Sequence, residues 1–128
     1  VQPYFMHYVF EAVNKVGLFE KYGMGLLRKW KVLVGMCEKG LREVWTDYVG
    51  YEIDYSHGWG ATPTYQLPNK ILGLEILEPG FKKVRINPNL YDLEWARFTV
   101  PTPYGEIKCD ITKTGTDVDI PDGIEVVS

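Results

Sequence analysis

The sequence predicts an α+β fold in which helices are followed by an antiparallel β-sandwich. Before Gly73, apolar residues recur every three or four positions, as on the buried face of a helix. After Gly73 they mostly alternate with polar residues, as in half-buried strands, and turn sequences rich in proline and glycine separate the runs. We therefore expect two domains, a helical one over residues 1–73 and a β-sandwich portion over residues 74–128.

The first predicted helix covers residues 3–16. Pro3 suits the first turn of a helix, and Gly17 suits the position after its end. The expected buried face follows the helical spacing and is widened by two neighbours: Phe5, Val9, Ala12, Val13 and Val16, with Met6 and Phe10 beside them.

A second helix is predicted over residues 23–39 and ends at Gly40. Its expected buried face consists of Leu26, Leu27, Trp30, Leu33, Val34 and Cys37. Because a short link joins two helices of similar length, we expect an antiparallel pair. Because both helices are strongly apolar, the pair exposes an apolar face. Further helices, or a second copy of the chain, would cover that face.

A third helix is predicted from Thr62, as N-cap, and Pro63, as first helical residue, to about Leu72. Pro68 should kink this helix, since its ring clashes with the carbonyl four residues back. Gly73 ends it.

Strands are predicted in residues 82–87, 93–100, 106–112 and 117–120, with a further run at residues 124–128. The side chains expected on one face of each strand are Val84 and Ile86; Ala96, Phe98 and Val100; Ile107, Cys109 and Ile111; Val118 and Ile120. Short strands with regular turn signals are typical of an antiparallel sandwich.

Composition and charge exclude several classes of function. The net charge is −3 and the basic residues form no run, which argues against binding to nucleic acid. The apolar stretches are short and broken by charge, so no membrane span is expected. The first residues have no initiator methionine and no basic segment, so we interpret them as part of a mature or excised segment rather than a signal peptide.

The sequence gives no sign of a metal or cofactor site. Two histidines and two cysteines lie too far apart in the chain for a closed set of metal ligands, and no phosphate-binding glycine motif is present. Cys37 and Cys109 are expected to be two unrelated buried thiols rather than a disulfide. No cofactor is therefore predicted.

The candidate site lies in the long loop of residues 41–59. It carries Glu43, Asp47, Glu52, Asp54 and His57 together with Trp45, Trp59 and three tyrosines. Cleavage of a glycosidic bond uses two carboxylates, and aromatic side chains can pack on the sugar. Other interpretations stay open: the carboxylates can be solvated loop charges, Trp45 can belong to the core, and His57 can bond a buried backbone carbonyl.

Several segments resemble the bacterial α-L-rhamnosidases of glycoside hydrolase family 78. They are "SHGWGAT" at 56–62, "LGLEILEPGF" at 72–81 and the hairpin "TPYG" at 102–105, in the order that the family shows. Upstream, "PYFMHYVF" at 3–10 and "GLREVW" at 40–45 are similar to the family's last helical hairpins. The resemblance covers nearly the whole chain.

The resemblance implies an architecture and an activity. Residues 1–73 would be the closing helices of an (α/α)6 six-hairpin catalytic barrel, and residues 74–128 a truncated portion of the β-sandwich that follows it. The activity would be the release of terminal α-L-rhamnose from a glycan or glycoside by an inverting mechanism, with the rest of the catalytic domain as partner of this chain. Such a role suits a periplasmic or secreted protein, and the fragment by itself is expected to be inactive.

The resemblance also assigns residues. The general acid would come from upstream of this chain, and the general base would follow a tryptophan, which matches Trp45; the next residue is Thr46 instead of Glu. A threonine hydroxyl holds its proton too strongly to act as that base. The base candidates are therefore Glu43, Asp47 and Glu52, and the sugar-binding candidates are His57, Trp45 and Trp59. The alternative is a non-catalytic carbohydrate-binding or structural module.

Overall fold

The structure, a computed structural model, describes residues 1–35, 40–45 and 54–127. They form two compact units, Val1–Thr64 and Tyr65–Ser128. The first unit is helical and the second contains two β-sheets, so the fold is α+β as predicted. None of the helices in the described part of the chain is long and apolar enough to cross a membrane.

The first helix lies where the sequence predicts it but buries a different line of residues. A 3₁₀ turn, Pro3–Phe5, leads into helix α1, Met6–Lys15. Met6 and Phe10 are buried, whereas Phe5 is 48% exposed, Val16 is 65% exposed and Ala12 is exposed as well, so the predicted face is wrong at these three positions. Phe10 decides the orientation, because its ring packs against Phe19 and Trp30 with centroids 6.3 and 5.8 Å away.

The second helical region begins earlier than predicted and is interrupted. A π-helical turn, Phe19–Gly23, is followed by helix α2, Met24–Leu27, and helix α3, Trp30–Gly35. Between α2 and α3 the backbone bonds join residues three apart, as in a 3₁₀ turn. The Lys29 N–H donates to the Leu26 carbonyl at 3.2 Å.

The predicted start at Gly23 is wrong because Phe19 is itself part of the core. Phe19 is 3% exposed, and a Cβ at Gly23 would come within 2.6 Å of its ring. Leu27, Trp30 and Leu33 are buried as predicted, but Val34 is 66% exposed. Cys37, the last member of the predicted face, lies outside the described residues.

The third helical region ends as predicted and starts earlier. It consists of a 3₁₀ turn, Gly58–Ala61, helix α4, Pro63–Leu67, and a π-helical turn, Pro68–Leu72. Thr62 is not an N-cap: its backbone is helical, and its hydroxyl donates to the Trp59 carbonyl at 3.3 Å. The α-helical pattern changes at Pro68, which has no N–H to donate.

The second unit contains six strands in two three-stranded sheets. They are β1 (Glu75–Glu78), β2 (Lys83–Arg85), β3 (Trp95–Thr102), β4 (Gly105–Thr112), β5 (Gly115–Asp119) and β6 (Glu125–Val127). One sheet has the order β1-β2-β6 and the other β3-β4-β5. The predicted strands are present, and β1 is an additional one whose burial does not alternate.

One pairing departs from the antiparallel prediction. Strands β1 and β2, β3 and β4, and β4 and β5 pair antiparallel, whereas β2 and β6 are parallel. A parallel pair needs a long connection, and here the whole β3-β4-β5 sheet lies between the two strands in the chain.

The alternating pattern of the strands correctly predicts the core of the second unit. Ala96, Ile107, Cys109 and Ile111 are at most 7% exposed, whereas Trp95, on the opposite face of β3, is 64% exposed. Cys109 is a buried free thiol, and burial raises its pKa.

Candidate functional site

Two loop segments lie side by side and form the base of the candidate site. The backbone N–H of Glu43 donates to the Asp54 carbonyl at 3.1 Å, and the N–H of His57 donates to the Leu41 carbonyl at 2.8 Å. Residues 41–43 and 54–57 are therefore held together by two backbone hydrogen bonds. This pairing brings Glu43, Asp54 and His57 into one place, as the loop composition suggests.

A carboxylate–imidazole pair forms within this loop. His57 Nδ1 lies 3.2 Å from Asp54 Oδ2, and the Ser56 N–H donates to the other carboxylate oxygen, Oδ1, at 3.0 Å. The His57 side chain is 21% exposed and that of Asp54 is 53% exposed. The pair is thus fixed at one end by the backbone and open to solvent.

The Ser56 N–H, and after it the hydrogen bond from His57, lower the pKa of the Asp54 carboxyl below its ordinary 3.8. A carboxyl whose pKa is lower in the folded state stabilises the fold above its ordinary pKa. That contribution disappears as the pH falls through the lowered value. Asp54 is therefore ionised at neutral and mildly acidic pH.

An exposed aromatic pair lies beside the imidazole. Trp59 is 61% exposed and stacks on Tyr4, with ring centroids 4.3 Å apart and planes 27° from parallel. Its ring also meets His57 nearly at right angles, at 5.6 Å. Tyr8, one helical turn after Tyr4, extends the aromatic surface with an edge contact at 6.3 Å.

Sequence reasoning missed Tyr4 and Tyr8. The sequence does not place them beside the loop, because the first helix is far from the loop along the chain. The available signal was their spacing of four residues, which places two tyrosines on one side of a helix next to the predicted apolar face.

Trp45 occupies a packing position in this structure. Its indole N–H donates to the Val1 carbonyl at 2.6 Å, and its ring meets Trp30 edge to face at 4.8 Å. Trp30 is in turn buried, with its N–H on the Gly60 carbonyl at 2.7 Å. These two indoles tie the start of the chain, α3 and the loop together.

The other predicted site residues divide into two groups. Glu43 is exposed and belongs to the paired loop segments. Thr46, Asp47 and Glu52 lie outside the described residues. Among the residues that the structure describes, no group of three or more His, Cys, Asp and Glu side chains is arranged to hold a metal ion.

The second unit has one surface groove of note, on the outer face of the β3-β4-β5 sheet. Its volume is about 330 Å³, and its lining includes Arg97, Lys108, Asp110 and Asp119. Arg97 donates to Asp110 at 2.9 Å, so two of its charged groups already satisfy each other. Exposed ion pairs of this kind are ordinary surface features.

Comparison with known proteins agrees with the resemblance read from the sequence. Residues 73–126 match the family model of the bacterial alpha-L-rhamnosidase C-terminal domain. A search of curated proteins gives no match.

Solved structures match nearly the whole chain. A GH78 family rhamnosidase of Bacillus sp. GL1 is 25% identical with a TM-score of 0.79, over 98% of this chain and 14% of that one. The α-L-rhamnosidase of Aspergillus terreus is 21% identical with a TM-score of 0.77, over 94% of this chain and 16% of that one. The α-L-rhamnosidase of Dictyoglumus thermophilum has 20% identity and a TM-score of 0.69, over 94% of this chain and 15% of that one.

The chain therefore spans only a small part of the length of these enzymes, and that part includes both the helical and the β-sheet unit. Over nearly its whole length the chain is similar to α-L-rhamnosidases, among them a GH78 family enzyme, and its residues 73–126 match the model of the bacterial alpha-L-rhamnosidase C-terminal domain.

Proposed function

We propose that the protein carrying this chain is a glycoside hydrolase that releases terminal α-L-rhamnose by an inverting mechanism. The observation that carries the proposal is the Asp54–His57 pair beside the exposed Trp59 and Tyr4 rings, in a chain similar over 98% of its length to a GH78 family rhamnosidase. A polar group next to an exposed aromatic surface suits a sugar, which has hydroxyl groups and apolar C–H faces.

In this proposal, residues 1–73 are the closing helices of the (α/α)6 catalytic barrel and residues 74–128 belong to the sandwich after it. Exposed apolar side chains on the first helix support this arrangement. Phe5, Tyr8 and Val16 are each about half exposed or more in this chain, and neighbouring hairpins of a barrel would cover them.

The chemistry requires two carboxyl groups on opposite sides of the glycosidic bond. One protonates the leaving oxygen, and in this proposal it comes from a part of the protein outside this chain. The other activates water, and its candidates are Glu43, Asp47 and Glu52. Glu43 is supported by its backbone bond to Asp54, which places it in the same loop pair as His57.

The proposed sugar contacts follow from which side chains of the site are exposed. His57 would bond a sugar hydroxyl, and Trp59, backed by Tyr4, would pack on the apolar face of the ring. Trp45 would act by holding the loop, since its N–H bonds the Val1 carbonyl and its ring contacts Trp30.

The test is rhamnose release from an aryl α-L-rhamnoside by the full-length protein and by three variants, Glu43→Gln, Asp47→Asn and Glu52→Gln. Loss of the base removes the activated water. We therefore expect one variant to lose a factor of about 10² to 10⁴ in kcat, while the other two keep most of their rate. Glu94→Gln is the matched control, because Glu94 is an exposed carboxylate of the second unit.

Two results would contradict parts of the proposal. Absence of rhamnose release by the full-length protein would reject the activity. Full activity in all three variants would reject these base candidates. The isolated 128-residue chain is expected to release none.

A second function is favoured by one residue. Thr46 follows Trp45, where the family places its base, and a threonine hydroxyl cannot serve as that base. The protein would then bind a rhamnose-containing glycan without cleaving it. Calorimetric binding of rhamnose to a protein without hydrolytic activity, lost in His57→Ala, would favour this function.

A further inference from the structure

We propose that Asp54 is a positioning residue that fixes the tautomer of His57, so that the neutral imidazole offers Nε2 as the acceptor for a hydroxyl proton of the sugar. The inference rests on the proposed function for the identity of the ligand. It goes further by giving Asp54 a role and by setting the direction of the hydrogen bond.

The tautomer follows from the chemistry of the contact. An ionised carboxylate can only accept hydrogen bonds, so the 3.2 Å contact between Asp54 Oδ2 and His57 Nδ1 requires a proton on Nδ1. In the neutral ring the other nitrogen then carries a lone pair. In a neutral imidazole, the hydrogen bond made by one ring nitrogen thus decides whether the other nitrogen carries a proton.

Asp54 is held in place independently of His57. The Ser56 N–H donates to Asp54 Oδ1 at 3.0 Å, and the Asp54 carbonyl accepts from the Glu43 N–H at 3.1 Å. The backbone of His57 is fixed as well, because its backbone N–H donates to the Leu41 carbonyl at 2.8 Å. Both partners are therefore oriented before a ligand arrives.

The described surroundings of His57 leave Nε2 available. Within the described part of the chain, no group forms a hydrogen bond with it, and the side chain is 21% exposed beside the Trp59 ring. Among the charged side chains in the described part of this loop, the Arg42 guanidinium lies over the Tyr55 ring, 4.9 Å from its centroid.

An acceptor at Nε2 selects for a donor on the ligand. A site built around one hydrogen bond discriminates strongly against an analogue that lacks the group, since the protein partner is then left unpaired. One hydroxyl of the sugar should therefore be required as a proton donor. Replacing it with a methoxy group, which can only accept, should weaken binding as much as removing it.

The test compares Asp54→Asn with wild type in the full-length protein labelled with ¹⁵N-histidine, with His57→Gln used to assign the His57 signals. The asparagine oxygen can still accept from the Ser56 N–H, but its NH₂ faces Nδ1 as a donor. We expect wild-type His57 to carry its proton on Nδ1 and the variant to carry it on Nε2. Asp54→Glu should retain the wild-type tautomer in part, and Asp110→Asn, which changes a half-buried aspartate of β4, should have no effect.

Kinetics with the aryl rhamnoside gives the second readout. Asp54→Asn should lower kcat/KM on the order of tenfold, the usual effect of losing one hydrogen bond to the ligand. Removing the hydroxyl that bonds His57 should cost wild type a similar factor and should cost Asp54→Asn almost nothing more.

The outcomes separate the two proposals. A proton on Nε2 in wild type, or an unchanged tautomer in Asp54→Asn, overturns the role of Asp54. A tautomer that changes as expected in a protein with no activity on rhamnosides supports that role and rejects the proposed function. A tautomer that changes without any effect on the kinetics of an active enzyme overturns the contact between Nε2 and the sugar.

Discussion

Three tryptophans of this chain differ in their exposure and in their contacts. Trp30 and Trp45 donate to backbone carbonyls and meet each other edge to face, whereas Trp59 is largely exposed and stacked on Tyr4. A tryptophan buried with a satisfied N–H stabilises the fold, and an exposed one beside polar groups is free to contact a ligand. Trp30 and Trp45 therefore belong to the packing of the fold, whereas Trp59 is exposed, although the sequence offers all three equally as platforms for a ligand.

Gly73 provides a prediction at the scale of one residue. Its φ is +66°, and a Cβ there would lie 1.9 Å from the Asn87 carbonyl oxygen. Gly73→Ala should therefore lower the free energy of unfolding both through the left-handed backbone and through a clash. Overpacking of this kind adds about 1–3 kcal/mol, which chemical denaturation can measure.

Gly80 is the matched control for that change. Its φ of +73° is nearly the same, but a Cβ there meets nothing within 4 Å. Gly80→Ala should cost only the backbone term, about 1–2 kcal/mol. Equal losses for the two variants would show that Asn87 does not restrict residue 73.

The largest buried side chains decide which face each helix of the first unit turns toward the core. Phe10, Phe19 and Trp30 form an aromatic core, and α1 turns Met6 and Phe10 toward it rather than the smaller Ala12 and Val16. Spacing alone predicts that a helix has a buried face. Several faces of α1 carry apolar residues, so the packing partner decides which one is buried.

Helix α3 offers a test of its buried face. Leu33 is fully buried and Val34 is 66% exposed, although both belong to the face expected from the sequence. Leu33→Ala should lower the free energy of unfolding by about 2–5 kcal/mol, because it leaves a cavity in the core. Val34→Ala should change it by less than about 0.5 kcal/mol.

Urea unfolding followed by circular dichroism can compare these two variants. Similar decreases in the free energy of unfolding for both variants would mean that α3 does not have the orientation in which Leu33 is buried and Val34 exposed.

At the scale of the whole molecule, the chain joins two compact units, and its relatives are several times longer. The exposed apolar side chains of the first helix, Phe5, Tyr8 and Val16, are unusual for a surface that meets only water. In the proposed function they contact neighbouring hairpins of a barrel.

The same surface predicts the behaviour of the 128-residue chain on its own. We expect copies to associate through it, because apolar faces without their partner tend to pair. Sedimentation velocity should show a dimer whose fraction rises with concentration and falls in a Phe5→Ser, Val16→Ser double variant. Trp95→Ser, which alters an equally exposed residue of β3, should leave it unchanged. A monomer at all concentrations would contradict this prediction.

The sequence by itself determined that helices precede strands, that the third helix ends at Gly73, and which face of β3 and β4 points inward. These features depend on local properties, namely the period of apolar residues and the backbone freedom of glycine. It also showed the similarity to the rhamnosidases, since that similarity is a property of residue order.

Only the tertiary structure decided which residues meet. The parallel pairing of β2 with β6, the stacking of Tyr4 on Trp59 and the contact between Trp45 and Val1 join positions far apart in the chain. Local patterns carry no information about such contacts, because they depend on how whole elements pack. The Asp54–His57 pair is the intermediate case: its residues are three apart, but the backbone bonds from residues 41–45 hold them in place.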